Sequence, residues 1–250
     1  MLNESPGEPE TRPRTRGPRT LAIDVGASGL KASVLNSRGR MVHERIRIKT
    51  PKPCPPGVLV RNLCRLVAPL PEFDRISVGF PGFVRAGRVL TAPNLGADTA
   101  WKGYRLAAAL QRRLGKPARL ANDADIQGLA AMQGKGVELV VTLGTGVGTA
   151  LFHDGRLLPH LEISQHTLWD NLNYDEYIGD ATRKRIGKKK WNRRVRQALD
   201  QLRVLVNFDK LHIGGGNAKR LVFELDRDMR IVSNRAGILG GIRLWEVEQA

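Results

Sequence analysis

Cysteine is scarce in this 250-residue chain: Cys54 and Cys64 are the two present, ten positions apart beside a proline cluster. That spacing fits no zinc-ligand pattern and frames no disulfide network, so reduced thiols are expected. Long apolar runs are missing as well. No stretch approaches the roughly 18 apolar residues that a membrane span needs. Met1 to Thr20 lacks the apolar segment of a secretory signal. A cytoplasmic protein without a membrane partner is the expectation. Repeats of short period are absent too. Acid is the other shortage, with 24 Asp and Glu against 41 Lys and Arg, a net charge of +17 and a pI near 10.7. Such a field attracts polyanions: nucleic acid, acidic membrane or a polymeric phosphate.

What is present is an ordinary globular composition. A hydrophobic share of 41% and a mean hydropathy of −0.29 leave ample core for one large or two modest domains. The positive charge is unevenly spread. Residues Arg183 to Arg196 hold nine Lys and Arg and no carboxylate. Arg12, Arg14, Arg16 and Arg19 lie in a Pro- and Gly-rich leader, residues 1–19, expected to be a disordered tail.

Thr20 to Val25 is a short apolar run ending in the glycine turn Gly26-Ala27-Ser28-Gly29, which predicts a buried strand feeding a loop. Strands over Lys31–Leu35 and Glu44–Thr50 would complete an antiparallel opening. Helices are predicted over Val58–Leu70, Tyr104–Leu114, Asp125–Gln133, Val195–Phe208 and Gly237–Val247. Further strands fall at Arg75–Phe80, Ala118–Ala121, Lys210–Ile213 and Met229–Val232. Val137–Leu143 and Thr149–His153 form a hairpin around a second glycine loop, Gly144-Thr145-Gly146-Val147-Gly148. Because a strand follows it, this loop is not a dinucleotide fingerprint. Both loops could offer N–H groups to phosphate, since glycine admits close approach and positive φ. Asn122-Asp123-Ala124-Asp125 lies between them. An Asp so placed could take a proton from a hydroxyl while a phosphoryl group is held opposite; the same Asp could instead cap the following helix.

These residues resemble the ROK family of sugar kinases, within the actin-like, hexokinase-like ATPases. The resemblance covers about Leu21 to Glu246. It rests on Asp24-Val25-Gly26-Ala27-Ser28-Gly29-Leu30-Lys31, Leu143 to Thr149, and Ile213-Gly214-Gly215-Gly216-Asn217. Val78 to Gly82, Asn94 with Trp101, and Lys188-Lys189-Lys190-Trp191-Asn192-Arg193-Arg194-Val195 point to the short polyphosphate glucokinase branch. The resemblance implies an α/β, two-lobed, ribonuclease H-like fold with mixed sheets flanked by helices. The lobes would span residues 20–121 and 122–236, with a final helix in 237–250 placed to pack back on the first.

It also implies roles. Asp123 would be the general base, and Asp24 would orient Mg²⁺ through water. Gly26, Ser28, Gly29, Lys31, Thr142, Gly144, Thr145 and Gly146 would hold the phosphate donor, and Gly214, Gly215, Gly216 and Asn217 would meet the adenosine of ATP. Gly82, Asn94, Asn122, Asp123 and Glu162 would receive glucose. Two departures stand out. The family carries Glu-x-Gly-His at the sugar; here Glu162-Ile163-Ser164-Gln165-His166 puts Gln165 at the histidine position and His166 one place late. Either Gln165 substitutes or a local shift brings His166 in. Ala27 replaces the second glycine of the first loop, where its methyl either crowds a phosphate or rests in an ordinary backbone region. The family's cysteine-rich zinc motif is absent, so no zinc is expected.

The donor would be polyphosphate, ATP, or both. Lys184, Arg185, Lys188, Lys189, Lys190, Arg193 and Arg194 would form a polyphosphate track, since so many cations without an acid repel one another unless an anion is bound. The alternatives are a solvated helix face, or RNA with Trp191 stacked on a base; nucleic acid ranks last. Transcriptional regulators share the family, but about twenty broken residues precede Leu21, too few for a helix-turn-helix. A homodimer is expected from the family alone.

Overall fold

A computed structural model of the protein describes residues 17–232 and 236–247. Nearly all of the expected leader, residues 1–16, lies outside the described residues. The chain opens with β1 (Thr20–Val25), β2 (Leu30–Leu35) and β3 (Ile46–Ile48), paired antiparallel in sequence. Helix α1 (Pro56–Val67) begins on a proline, whose missing N–H costs nothing in a first turn, and buries Leu59, Val60, Leu63 and Leu66. Then come β4 (Arg75–Phe80), a small hairpin of β5 (Val84–Arg85) and β6 (Arg88–Val89), α2 (Asp98–Trp101), α3 (Leu106–Leu114) and β7 (Ala118–Asn122). Gly115 ends α3 in the left-handed region, at φ 67°. The first sheet has the order β3-β2-β1-β4-β7, with β4 and β7 parallel to β1.

Helix α4 (Asp123–Ala131) leads to the second sheet. Its strands β8 (Val137–Leu143), β9 (Val147–His153) and β10 (Arg156–Leu157) are antiparallel. A hairpin of β11 (Thr167–Trp169) and β12 (Leu172–Asn173) follows, then α5 (Tyr174–Ile178) and α6 (Asp180–Val206). Strands β13 (Lys210–Gly214) and β14 (Met229–Ile231) add parallel to β8, and α7 (Ala236–Arg243) comes last. The order is β10-β9-β8-β13-β14. It repeats the first sheet: three antiparallel strands with two parallel strands added beyond the first of them. Each leading hairpin carries one glycine loop at its turn. The repeat is one of backbone pairing, with different side chains in each copy, so no sequence repeat announces it.

Each sheet has its own apolar core, and a third cluster of Ile126, Leu129, Val140, Ala150, Phe152 and Leu244 lies around α4. Helix α4 packs on β4 and β7 of one sheet, on β8 and β9 of the other, and on α7. Small residues permit this. A Cβ at Gly128 would stand 2.6 Å from the Phe152 ring, and one at Gly240 would stand 1.7 Å from the Ile126 carbonyl oxygen. Helix α7 also returns to the first sheet. Ser77 Oγ donates to the Gly241 carbonyl at 2.5 Å and accepts from Trp245 Nε1 at 2.9 Å, while Arg119 donates to the Leu244 carbonyl at 2.7 Å.

The turn from α4 to β8 is pinned by Glu138, which is fully buried. It accepts the N–H groups of Gln133 and Gly134 and bonds His212 Nε2 at 2.6 Å. Burial opposes its charge, but those donors outweigh burial and hold its carboxyl below the usual range.

Several expected bounds need correction: α1 runs Pro56–Val67, not Val58–Leu70, and β3 is confined to Ile46–Ile48. Helix α4 starts at Asp123, not Asp125, because Asn122 caps it, and it ends at Ala131 where Gln133 turns to Glu138. The last helix stops at Arg243. Helix α6 begins at Asp180, not Val195, so the basic run is helical; Gly187, at φ 77° and ψ 167°, breaks its periodicity and kinks it.

Substituting Gly240→Ala should force α7 off α4 and cost about 2–3 kcal/mol, read as a lower denaturant midpoint at unchanged slope. A wild-type midpoint would show that α7 is not seated there.

Candidate active site

Strand β7 delivers Asn122 to the start of α4, and Asn122 does the capping. Its Oδ1 accepts the Ala124 N–H at 2.7 Å while its Nδ2 donates to the Gly82 carbonyl at 3.0 Å. Asp123 is thereby relieved of the capping role that a helix-start Asp commonly fills. One of its carboxylate oxygens accepts the Ala124 N–H at 2.9 Å; the other has no partner among the described residues. Backbone from both sheets closes on this point. A Cβ on Gly79 would lie 3.6 Å from Asp123 Cα, and one on Gly148 would lie 2.9 Å from Ala124 Cβ. Burial, and next the charge of Asp24, push the Asp123 carboxyl up to about 7.

The two glycine loops stand at corresponding turns of the two sheets. In the first, Gly26 N–H donates to the Gly29 carbonyl at 3.0 Å, and Thr50 Oγ1 anchors the Gly26 carbonyl at 2.6 Å. Ser28 is exposed at its tip. Asp24 and Lys31 face each other across β1 and β2 and form an ion pair of 2.7 Å, so the Lys31 charge is shared with Asp24. In the second loop, Gly144 N–H donates to the Gly146 carbonyl at 2.9 Å, and Asp175 accepts the Val147 N–H at 2.6 Å. Thr142 lies between Gly148 on β9 and Gly214 on β13, and Thr145 is exposed. Positive φ is not what these glycines supply: Gly26, Gly29, Gly144, Gly146 and Gly148 all have ordinary φ, and so does Ala27. They supply room. A Cβ at Gly29 would sit 2.6 Å from Arg47 Nε, and one at Gly146 2.6 Å from Asp175 Oδ1. The third turn does need a left-handed residue: Gly215 has φ 86°, and a Cβ there would lie 2.2 Å from the Leu143 carbonyl oxygen. Beside it Asn217 Nδ2 donates to the Gly144 carbonyl at 3.2 Å and to Asp180 at 3.0 Å, while Gly216 faces open space.

The model of the ROK family matches residues 20–159, which contain both glycine loops and the Asp123 segment. The chain belongs to the ROK family. The polyphosphate glucokinase of Mycobacterium tuberculosis strain H37Rv is 27% identical over 249 residues, covering 96% of this chain and 91% of its own. That of Mycobacterium leprae is 28% identical over 239 residues, covering 90% of this chain and 71% of its own. Among solved structures, the inorganic polyphosphate/ATP-glucomannokinase of Arthrobacter sp. strain KM superposes with a TM-score of 0.80 at 29% identity, covering 90% of this chain and 97% of that one. A ROK glucokinase from Streptomyces griseus, solved with glucose and AMPPNP, gives 0.71 at 19% identity and supports the fold alone. The architecture is the two-lobed, hexokinase-like fold of ROK sugar kinases.

In the segment around Glu162, Gln165 and His166 have different surroundings. Gln165 Nε2 donates to Asp175 Oδ2 at 3.1 Å, which ties it to the carboxylate beneath the second glycine loop. His166 is exposed. The buried imidazole is His160, which the sequence reading missed. It bonds Asp125 Oδ1 at 2.9 Å and Glu162 Oε1 at 3.1 Å. Burial works against charge on this ring, but the two carboxylates outweigh burial and raise its pKa to about 9. The available signal was His160 two places before Glu162, a spacing that puts both on one side of an extended segment. Asn94 is exposed in the turn before α2. Asn122 and Gly82 spend polar groups on each other.

Helix α6 starts at the second loop, where Asp180 N–H donates to the Thr145 carbonyl at 3.1 Å. Asp180 also pairs with Arg183 at 2.7 Å and Lys184 at 2.8 Å, and these cations hold it well below the usual carboxylate range. The run is therefore less self-repelling than its sequence implied. Arg185 reaches Thr182, Arg194 lies over the Tyr177 ring, and Arg196 pairs with Asp226 at 2.9 Å. Lys188, Lys189, Lys190 and Arg193 are exposed and make no ion pair among the described residues. Lys188, Lys189 and Arg193 line a groove floored by Val222 and Phe223. Trp191 is fully buried, with Nε1 donating to the Ile178 carbonyl at 2.7 Å, which overturns its stacking on RNA.

In metal-free protein the Asp123 carboxyl should titrate near 7 by carboxylate NMR, and Asp24→Asn should lower that value. Between the ordinary Asp value and about 7 the folded state holds a proton that the unfolded chain has released. Ionising Asp123 therefore subtracts stability as pH rises through that window. Asp123→Asn should raise the melting temperature at pH 8, with the gain vanishing below pH 4; an equal Tm at pH 8 would mean the carboxyl is unperturbed.

Proposed function

We propose that this ROK protein is a glucose kinase that transfers the terminal phosphoryl group of inorganic polyphosphate, and of ATP as a second donor, to the C6 hydroxyl of glucose. The observation that carries the reading is a carboxylate free of capping duty, with an open oxygen and a raised pKa, set between two glycine loops on matched hairpins. The polyphosphate glucokinases among its relatives support the acceptor and the donor.

Phosphoryl transfer asks a protein for positioning and charge neutralisation. Asp123 takes the C6 hydroxyl proton as that oxygen attacks the terminal phosphorus. The bond to the bridging oxygen breaks, leaving a shortened polyphosphate or ADP. A base near pKa 7 suits this task, since it is ionised at neutral pH yet still basic. N–H and hydroxyl groups of Gly26, Ser28, Gly29, Thr142, Gly144, Thr145 and Gly146 hold the donor's oxygens, with Gly214 to Asn217 for a nucleoside part. Asn94, Asp123 and Glu162 receive the sugar hydroxyls, over a floor made by the Asn122–Gly82 contact.

Among the described residues no group of three His, Cys, Asp or Glu is arranged to hold a metal. Mg²⁺ suits that, because it keeps most of its water and takes one or two carboxylates together with donor phosphates. Asp24, half-exposed at the end of β1, would hold it through water, and the ion would supply neutralisation of the donor's charge.

For a polymeric donor, the phosphates beyond the transferred one run from the second loop along α6, past Lys184 to Lys188, Lys189, Lys190 and Arg193. The groove's open cations and the helix start pinned at Thr145 support this path. Arg185 and Arg194, turned to Thr182 and Tyr177, contribute field more than contact.

The test is glucose 6-phosphate formation from glucose and Mg²⁺, with long-chain polyphosphate or ATP at equal phosphoanhydride concentration and low salt. Asp123→Asn should cut turnover about 10²–10⁴-fold while glucose still binds by calorimetry; surviving activity would remove Asp123 as base. Replacing Lys188, Lys189 and Lys190 by Ala should raise the KM for polyphosphate, flatten its salt dependence and leave the KM for ATP unchanged. Turnover with ATP alone would make the basic helix a solvated face.

A further inference from the structure

We propose that His160 is a positioning residue that clamps the acceptor's ligand Glu162 to the helix bearing Asp123, by donating one ring N–H to Asp125 and the other to Glu162. The inference rests on the sugar-kinase reading of the cleft given above.

Asp125 Oδ1 lies 2.9 Å from His160 Nδ1 and Glu162 Oε1 lies 3.1 Å from Nε2. An ionised carboxylate accepts and does not donate, so two of them on opposite nitrogens call for an imidazolium with both nitrogens protonated; burial pushes the Asp125 carboxyl up, and the hydrogen bond from His160 draws it back toward the ionised form. The ring is 5% exposed and Asp125 is 6% exposed, whereas Glu162 keeps 36% of its side chain open. Two members are thus buried structure, and the third reaches the cleft. Phe83 of the first lobe covers the imidazole at 5.7 Å between ring centroids, with Arg85 over the other ring at 5.0 Å. Having spent both donors on carboxylates, His160 has none left for a sugar hydroxyl. It acts through Glu162.

The clamp has a lever arm of two residues. Asp125 follows Asp123 on α4, whose start is fixed by the Asn122 cap. Glu162 belongs to the segment after β10, where Ser164 Oγ also donates to it at 3.4 Å, and among the described residues its link to α4 runs through His160. The bridge therefore sets where Glu162 stands relative to the base. Its loss should be felt in how glucose is held and aligned, and not in how the donor is held. Gln165, bonded to Asp175 at 3.1 Å and to Ser164 Oγ at 3.4 Å, reaches no residue of α4.

Two measurements on the full chain test this. Imidazole ¹⁵N NMR at pH 7.5 should show both His160 nitrogens protonated, and Glu162→Gln should move the Nε2 resonance; a neutral ring in wild type would overturn the clamp whether or not glucose binds. In steady-state kinetics, His160→Gln should raise the KM for glucose about 10- to 100-fold, the worth of a hydrogen bond to a charged group. The KM for the donor should stay within about twofold on the same grounds. The double variant with Glu162→Gln should be no worse than the worse single one, because both remove one coupled unit. Equal losses toward both substrates, with additive effects, would reduce His160 to a packing residue and sink the proposal. A wild type with the doubly protonated ring that neither binds nor phosphorylates glucose would overturn the sugar reading and the role given to the clamp, leaving its ion pairs standing.

Discussion

The side-chain amide of Asn122 holds the site together from two directions. Its oxygen satisfies the first free N–H of α4, and its nitrogen grips the Gly82 carbonyl at the end of the neighbouring strand. A buried amide with both ends paired fixes helix, strand end and loop in one orientation, since leaving either end unpaired would cost the full desolvation of that group. Because the cap comes from Asn122, the next residue projects from the first turn with an open carboxylate oxygen. The raised pKa of Asp123, the approach of Gly79 and Gly148 backbone, and the reach of Asp125 to His160 all presuppose that fixed start.

Much of this was legible in the sequence, and the reasons differ from place to place. Short apolar runs ending in glycine gave β1, β4 and β8, because a buried strand and a tight turn each leave a compositional mark. The glycine loops and the Asn-Asp pair between them were legible for the same reason, and the structure brings Gly79 and Gly148 against the start of α4. The partner of Glu162 did not show, since a buried imidazole is chosen by tertiary contact and the family pattern pointed to position 165. Helix α6 was truncated in the reading because its first half buries little and Gly187 interrupts its period. The last-ranked alternative, Trp191 stacked on RNA, arose because charged neighbours surround it in sequence, while its own side of the helix faces Ile178. Of the two properties for which the loop glycines were singled out, close approach and positive φ, Gly29, Gly146 and Gly148 use the first and Gly215 the second.

The matched sheets explain why two glycine loops exist at all. One topology, used twice, places a glycine turn at the same corner of each lobe, and α4 lies between the copies in contact with both. Asymmetry enters through what is inserted. The second lobe carries α5, the basic α6 and the His160–Glu162 segment, which have no counterpart in the first.

The seating of α7 has a consequence for how the molecule is made. Arg243 bonds the Leu129 carbonyl from 114 positions further along the chain, and the Gly240 contact with Ile126 spans a similar interval. Ribosomal synthesis therefore releases Asp123 and both glycine loops well before the helix that braces them from behind. Lobes that fold as they emerge would form their sheets first and gain a braced α4 last, so the growing chain holds Asp123 and both glycine loops before it holds the rigidity that aligns them.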